Sequence, residues 1–299
     1  MKSATDLNLM DDLVLGFWRL LAWQLTPQQC LSFLHKSIEL GVTWTDHADI
    51  YGGHQCEAQF GEALKLEPSV RDKIKIITKC GIRPASQFEL RKGQVNHYDS
   101  SASHIINSAQ QSLRHFQTDR LDVLLIHRPD YLMCADEMAE AFQQLAKNGD
   151  VLQFGVSNFT PSQVELLQSR LDFPLIANQI EFSPYEMKAL DDGSLDQCQR
   201  LNIKPMCWSP LAGGRLFNEQ TEKAIRLRAT LTQIADELGV QGIDQVVYTW
   251  LLTHPSRPAV VLGTGNIDRV ASAVDSRQLS LTREQWYRIW QASTGHSVP

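Results

Sequence analysis

Three observations in this 299-residue sequence predict an α/β protein built as a (β/α)8 TIM barrel. Short apolar runs of the kind that form strands alternate with segments of helical apolar spacing. Eight such runs occur, each followed by helical sequence, and a parallel barrel of about 250 residues accommodates them in one core. Because composition does not shift along the chain, we expect residues 1–299 to form a single barrel domain.

The strands are predicted where β-branched, aromatic or apolar residues cluster and then stop at glycine or polar residues. The run 73–79 alternates in polarity and then becomes apolar like a buried strand. In chain order they cover residues 13–17, 42–45, 73–79, 121–126, 151–156, 174–177, 203–207 and 259–262.

The helices are predicted from apolar spacing and from capping residues. Thr26-Pro27 and Thr160-Pro161 are typical starts, because threonine caps a helix and proline suits its first position. The C-terminal part of the chain carries additional helices. The predicted helices cover 26–40, 57–66, 101–115, 135–148, a segment from 160, 194–201, 223–238, 243–254, a segment from 267, and 282–292.

Composition excludes several classes of protein. A net charge of -6 argues against broad nucleic-acid binding, and no apolar run approaches the roughly 18 residues of a membrane span. The polar start, residues 1–6, lacks the apolar middle of a signal peptide, so a cytoplasmic location is expected. The six cysteines show neither a C-x-x-C pair nor a metal-ligand spacing, which predicts reduced thiols and no metal site.

Polar residues follow most of the predicted strands. In a parallel barrel all strand carboxyl ends open on one face, so these residues are expected to converge there. Taken singly, a lysine at a strand end is usually a solvated tip and a histidine usually a hydrogen-bonded loop residue. The converging residues are Asp46, Lys79, His127, Ser157, Asn158, Asn178, Gln179, Trp208 and Thr264.

The stretch 41–54 places Asp46 and Tyr51 just past the second strand, and Gly52-Gly53 supplies the backbone freedom of a loop. By itself this stretch is better interpreted as a loop whose polar groups bond one another than as part of an active site. The polar segment 82–99 is predicted as a long loop and a candidate wall of the active site.

Six separated blocks, in order and over essentially the whole chain, resemble the aldo-keto reductase family, bacterial oxidoreductase-type members included. The blocks are Asp46–Gly52, Thr78-Lys79, Ile126–Arg128, Gly155–Asn158, Asn178-Gln179 and Trp208–Leu211. The resemblance implies an NAD(P)H-dependent enzyme that reduces aldehydes or ketones by hydride transfer. It makes Tyr51 the general acid and adds Asp46, Lys79 and His127 to complete a catalytic tetrad.

The chemistry of that tetrad is coherent. Hydride arrival puts negative charge on the carbonyl oxygen, which a nearby proton donor and cation stabilise. A lysine ammonium beside a phenol favours the phenolate and so lowers the phenol's pKa. Asp46 is expected to keep Lys79 charged, and His127 to donate a hydrogen bond to the substrate oxygen.

The resemblance also implies NADPH (NADP+) as cofactor. Ser157, Asn158 and Gln179 are expected to hold the carboxamide, and Trp208 to stack on the nicotinamide. Trp18 is grouped with them and is also expected to form an apolar substrate wall. The remaining implied contacts, to pyrophosphate and 2′-phosphate, are Ser209, Pro210, Leu211, Gly213, Arg215, Gly263, Thr264, Gly265 and Arg269.

The chain departs from the family pattern at three places. Gly263-Thr264 replaces a Lys-Ser, Ser272-Ala273 replaces a Glu-Asn, and His47 replaces a threonine beside the catalytic acid. The strength of NADPH preference, the physiological substrate and the roles of His47, His54, His97 and Tyr98 are therefore left open.

Two alternatives from other classes accompany this prediction. One is a dinucleotide-binding regulatory or channel-associated subunit, and the other is a non-redox barrel enzyme using Lys79 as a Schiff-base amine. The expected partner is a small-molecule carbonyl substrate, and neither nucleic acid nor a membrane is expected to bind. The protein is expected to be a monomer or a weak homo-oligomer.

Overall fold

The eight barrel strands are parallel and close in the order Leu13–Gly16, Ala259–Leu262, Lys204–Trp208, Ala177–Glu181, Val151–Ser157, Leu121–Ile126, Lys75–Cys80 and Trp44–Asp46. The structure, a computed structural model, describes residues 10–85 and 95–299. Within these residues the strands are β1 Leu13–Gly16, β2 Trp44–Asp46, β3 Lys75–Cys80, β4 Ile82–Arg83, β5 His97–Tyr98, β6 Leu121–Ile126, β7 Val151–Ser157, β8 Ala177–Glu181, β9 Lys204–Trp208 and β10 Ala259–Leu262. The predicted (β/α)8 barrel is confirmed.

Helices follow the strands, and several lie in the C-terminal part of the chain. They are α1 Pro27–Glu39, α2 Cys56–Leu66, α3 Ala102–Phe116, α4 Ala135–Asn148, α5 Pro161–Gln168, α6 Ser194–Leu201, α7 Arg215–Asn218, α8 Glu222–Leu238, α9 Ile243–Leu252, α10 Ile267–Asp275 and α11 Arg283–Thr294. No helix among the described residues is long and apolar enough to cross a membrane.

Capping explains where the predicted helices begin. The Thr26 hydroxyl accepts from the Gln29 amide at 3.2 Å, and the Gln29 side chain accepts from the Thr26 amide at 2.9 Å. Thr160 forms the same reciprocal capping box at the start of α5. Each box satisfies two amides that a helix start leaves without intrahelical partners, so both threonine starts are confirmed.

Two compact units make up the chain: Gly16–Asn178, and the segment up to Leu15 together with Gln179–Pro299. In the core of the first unit, the rings of Phe142 and Phe154 stack with their centroids 4.3 Å apart. In the second, Trp250 stacks on Trp286 at 4.7 Å, and each indole donates to the other's backbone carbonyl at 3.1 Å.

Two predicted elements differ from the structure. The sixth strand, expected over 174–177, is β8 at Ala177–Glu181, because Pro174 has no amide hydrogen to give to a strand ladder. Asn178 and Gln179 therefore lie inside the strand rather than after it. The expected loop at 82–99 contains the short antiparallel pair β4 and β5, and its residues 86–94 lie outside the described range.

Candidate active site

The turn after β2 presents Tyr51. Asp46 is the last residue of β2, and the loop reverses at Gly52 and Gly53, whose φ angles are 59° and 62°. A side chain at Gly52 would also collide with Leu21, because a Cβ there would lie 2.5 Å from Leu21 Cδ1. The positive φ is the stronger reason for glycine at this position, because the Leu21 side chain can shift whereas the backbone conformation cannot be relieved.

Lys79 connects the members of the predicted tetrad. Its ammonium, completely buried in β3, donates to Asp46 Oδ1 at 2.7 Å and Oδ2 at 2.9 Å. It also donates to the His47 carbonyl at 2.6 Å and to the Tyr51 hydroxyl at 3.2 Å. All three donor directions of the ammonium are used, so Lys79 is held in one orientation toward the phenol.

The charges of this group follow from burial and contact. Burial lowers the pKa of Lys79, but Asp46 and Tyr51 raise it, so that the pKa lies above its ordinary value. Burial raises the pKa of Tyr51, Lys79 lowers it, and the net pKa is above its ordinary value. The predicted lowering by Lys79 is present, yet desolvation outweighs it. Tyr51 therefore carries its proton and Lys79 its charge at neutral pH.

The His127 ring lies edge-on to the Tyr51 ring, with the ring centroids 5.8 Å apart. Burial, with the charges of Lys79 and Arg128, holds the pKa of His127 well below its usual value. The ring is therefore neutral. Its Nδ1 is buried without a hydrogen-bond partner among the described residues.

His47 is enclosed by aromatic rings. It stacks on Phe17 with centroids 4.8 Å apart and meets Phe60 and Phe116 edge to face at 4.5 and 4.9 Å. Burial and Lys79 hold the pKa of His47 well below its usual value, so the ring is neutral. His47 therefore packs among aromatic rings next to the turn that presents Tyr51. Its own ring does not titrate near neutral pH, so it adds no charge beside the predicted tetrad.

Ser157 is the last residue of β7, and Asn158 follows it. Asn158 has a left-handed backbone with φ of 61°, and its Nδ2 donates to Ser157 Oγ at 2.8 Å and to the His127 carbonyl at 3.4 Å. Trp18, in the same unit after β1, is 59% exposed and lies under the Arg19 guanidinium at 5.1 Å. This exposed ring is available as an apolar surface.

In the other unit, Gln179 is buried inside β8 and Trp208 is the last residue of β9. The turn after Trp208 is unusual because Ser209, Ala212, Gly213 and Gly214 all have positive φ. Such successive left-handed residues direct backbone amides to one side, which suits an anion. Pro210 and Leu211 lie within this turn.

Arg215 follows that turn at the start of α7. Its guanidinium packs over the Tyr185 ring at 4.8 Å and lies 3.9 Å from Glu181. The Tyr185 hydroxyl is hydrogen-bonded to Glu219. Arg215 is thus supported by stacking on Tyr185, while 53% of its side chain stays exposed.

The segment from Gly263 to Arg269 leads from β10 into α10. A Cβ at Gly263 would meet nothing within 4 Å, so the backbone there borders open space. Asn266 caps α10 by accepting from the Asp268 amide at 2.8 Å, and Thr264 accepts from the Asn266 amide at 3.1 Å. Gly265 lies between the two capping side chains.

The sequence reasoning missed a buried polar layer behind the tetrad. Glu57 is 1% exposed and accepts from Thr78 Oγ1 at 2.6 Å and from Ser112 Oγ at 2.9 Å. A charged residue on the inward face of a predicted helix is the signal that could have identified it. The described residues contain no group of metal-binding side chains, and all six cysteines are free.

Comparisons with known proteins identify the family of this chain. The family model for the aldo/keto reductase family matches residues 12–294. Oxidoreductase YdhF of Escherichia coli K12 is 51% identical, with 96% of this chain and 94% of that protein covered. A 6-dehydroglucose reductase of Agrobacterium fabrum is 39% identical, covering 99% and 98%.

A solved aldo/keto reductase from Klebsiella pneumoniae, in complex with NADP and acetate, has the same fold, with a TM-score of 0.75. It is 21% identical and covers 97% of this chain and 93% of its own. The chain belongs to the aldo/keto reductase family, and it is an NAD(P)H-dependent oxidoreductase acting on carbonyl groups.

Proposed function

We propose that this protein reduces an aldehyde or ketone to an alcohol with NADPH, and that Tyr51 donates the proton. The observation that carries the proposal is the Lys79 ammonium, which lies 3.2 Å from the Tyr51 hydroxyl while both oxygens of Asp46 hold it. A phenol with a fixed cation beside it can release a proton to a developing alkoxide and leave a stabilised phenolate.

His127 suits the role of orienting the carbonyl. Its ring is neutral, so one ring nitrogen carries a hydrogen and can donate to the substrate oxygen. A neutral donor polarises the carbonyl without competing with Tyr51 for the proton transfer. The proton then passes from Tyr51 Oη to the substrate oxygen, and Lys79 stabilises the phenolate that remains.

Each unit, taken by itself, carries residues that suit part of a nicotinamide cofactor. Ser157, Asn158 and Gln179 offer the mixture of donors and acceptors that a carboxamide needs. The left-handed turn that contains Gly213, and the open backbone at Gly263, suit phosphate oxygens. When bound, the reduced nicotinamide supplies the hydride.

Assignment of NADPH rather than NADH rests on Arg269, since a guanidinium matches the 2′-phosphate dianion that only NADPH carries. Arg215 would add charge at the pyrophosphate, which both cofactors contain. The other proposed contacts are Trp18, Trp208, Ser209, Pro210, Leu211, Thr264 and Gly265.

A Schiff-base enzyme is disfavoured by the state of Lys79. The ammonium pKa is raised and its three donor directions are occupied, whereas an amine nucleophile needs a depressed pKa and a free lone pair. A purely regulatory subunit would have no need of a lysine bonded at once to a carboxylate and a phenol, which favours catalysis.

The test is an assay of NADPH and NADH oxidation with 4-nitrobenzaldehyde, methylglyoxal, cyclohexanone and 6-dehydroglucose. The last substrate is included because a relative is named for it. We expect faster turnover with NADPH for at least one carbonyl. The absence of oxidation with every substrate, together with no cofactor binding, would refute the proposal.

Tyr51→Phe tests the proton donor. This substitution removes one oxygen and keeps the ring, so we expect turnover to fall by about 10²–10⁴-fold, the usual contribution of general acid catalysis, while NADPH affinity stays unchanged. Cofactor binding is measured by fluorescence titration. Turnover close to that of the natural protein would exclude Tyr51 as the donor.

A further inference from the structure

A buried carboxylate lies behind the proposed tetrad without belonging to it. Glu57 Oε1 accepts from the Thr78 hydroxyl at 2.6 Å, and Ser112 Oγ lies 2.9 and 3.0 Å from the two carboxylate oxygens. His115 Nδ1 approaches Oε2 at 3.4 Å, with a quarter of its side chain exposed. Such a carboxylate is costly to bury, and these donors compensate for the burial.

The bond to Thr78 joins the two chain segments that carry Lys79 and Tyr51. Thr78 immediately precedes Lys79 in β3, and successive side chains of a strand point to opposite faces, so Thr78 faces α2 while Lys79 faces Asp46. Glu57 lies in the first turn of α2.

The start of α2 is itself bonded to the catalytic turn. The backbone amides of Gln55 and Cys56 both donate to the Tyr51 carbonyl at 3.2 Å. A shift of α2 relative to β3 would therefore move the Tyr51 backbone relative to Lys79. Glu57 is the side chain that opposes such a shift.

Close packing of α2 on α3 makes this connection rigid. A Cβ at Gly61 would lie 1.9 Å from the His115 carbonyl oxygen, so the two helices touch backbone to backbone at that point. The contact brings Ser112 of α3 to the Glu57 carboxylate. Glu57 is thus held from α3 as well as from β3.

We propose that Glu57 and Thr78 form a positioning pair that sets the separation between the Lys79 ammonium and the Tyr51 hydroxyl. Neither residue contacts the reacting atoms. The inference rests on the proposed function of Tyr51 and deepens it, because the distance to Lys79 determines how readily the phenol gives up its proton.

The sign of one measurable effect separates positioning from a direct charge effect. If breaking the pair lets Lys79 recede, the pKa of Tyr51 rises, because Lys79 lowers it. If the negative charge of Glu57 acted directly on the phenol, its removal would lower that pKa. Thr78→Val breaks the hydrogen bond and leaves the charge of Glu57 in place.

The experiment titrates the phenol and measures turnover in the same variants. In these variants 3,5-difluorotyrosine replaces Tyr51. Its phenol has a lower intrinsic pKa than tyrosine, which brings the titration into a range where the protein stays folded. We expect Thr78→Val to raise this pKa and to lower kcat for 4-nitrobenzaldehyde about tenfold, with KM and NADPH affinity unchanged. Thr78→Ser, which keeps the hydroxyl, restores both.

Glu57→Gln keeps an oxygen acceptor for Thr78 and is expected to retain most of kcat. The double variant Glu57→Gln with Thr78→Val should lose no more of kcat than Thr78→Val alone, since both changes act on one hydrogen bond. Thr249→Val is the matched control, because Thr249 is equally buried, at 2% exposure, and its hydroxyl donates to the Gln245 carbonyl at 2.8 Å in α9. We expect this control to change neither reading.

The proposal is overturned if folded Thr78→Val leaves the phenol pKa unchanged or lowers it, or if Thr249→Val gives the same loss. Thr78→Ala replaces Thr78→Val if the valine variant does not fold, with the same expectations. Because the titration needs no substrate, it reports on positioning even if no carbonyl is turned over. Failure of the reductase proposal is therefore distinguishable from failure of this one.

Discussion

Replacement of Asp49 by asparagine should make the protein more stable than the natural protein, by a margin that grows as pH rises. Asp49 lies in the turn between Asp46 and Tyr51, and its Oδ1 is buried with no hydrogen-bond partner in the described part of the chain. Burial and the neighbouring Glu57 raise the pKa of this carboxyl to about 8, against the lowering by hydrogen bonds to Ile50 and Ser108 and by Lys79.

The magnitude follows from linkage. An unfolded aspartate has a pKa of 3.8, so between that value and about 8 the folded state binds the extra proton and loses stability as pH rises. Each pH unit is worth about 1.36 kcal/mol, which gives a ceiling of about 4 kcal/mol at pH 7. Asparagine is nearly isosteric, does not titrate, and keeps an oxygen that accepts from Ile50 and Ser108.

The assay is urea denaturation of the natural protein and Asp49→Asn at about pH 4.5, 6, 7.5 and 9. We expect the free energy of unfolding of the variant to exceed that of the natural protein by a margin that grows up to about pH 8 and is constant above it. Asp191→Asn, at an exposed position, is the control and should show no such trend. A margin that is independent of pH, or that favours the natural protein at pH 7.5, would refute the reasoning.

Two further predictions concern buried polar groups. His47→Phe should raise the free energy of unfolding by about 1–2 kcal/mol in thermal or chemical denaturation. Both ring nitrogens of His47 are buried without hydrogen-bond partners among the described residues, and a phenyl ring suits the aromatic site. A lower denaturation midpoint for the variant would contradict this. Arg71→Met should lower the free energy of unfolding by about 3–5 kcal/mol. Arg71 Nη2 donates to the buried Asp122 carboxylate at 2.8 Å, and loss of this bond leaves the carboxylate charge poorly compensated. A change within experimental error would show that Lys75, 3.3 Å from Asp122, compensates that charge by itself.

The parts of the fold that follow local rules could be predicted from the sequence. The helix starts at Thr26 and Thr160 depend on side chains within three residues, and the structure has the same starts. The grouping of Asp46 with Lys79 depends only on both residues lying at strand ends of a parallel barrel, and the ion pair is present. The roles of the cofactor residues remain predictions.

Features that depend on tertiary packing could not be predicted. The hydrogen bond between Ser112 and Glu57 joins residues 55 positions apart, and no local pattern specifies it. The balance at Tyr51 is similar, since the effect of Lys79 on the phenol pKa is evident from chemistry but the larger effect of burial requires the folded structure. The position of His47 among aromatic rings likewise depends on Phe17, Phe60 and Phe116, which come from three separate segments of the chain.

The raised pKa of Tyr51 is consistent with its proposed role as an acid. Before reaction the phenol holds its proton, Lys79 and Asp46 form a compensated ion pair, and the His127 ring is neutral, so the site presents dipoles and a donor but no net charge of these side chains. When hydride reaches the carbonyl carbon, the new alkoxide is a much stronger base than the phenolate that replaces it. In the proposed reaction, proton transfer would then create a phenolate 3.2 Å from an ammonium that needs no reorientation. The stabilisation is therefore obtained mainly in the transition state, which is the condition under which a preorganised cation accelerates a reaction instead of only tightening substrate binding.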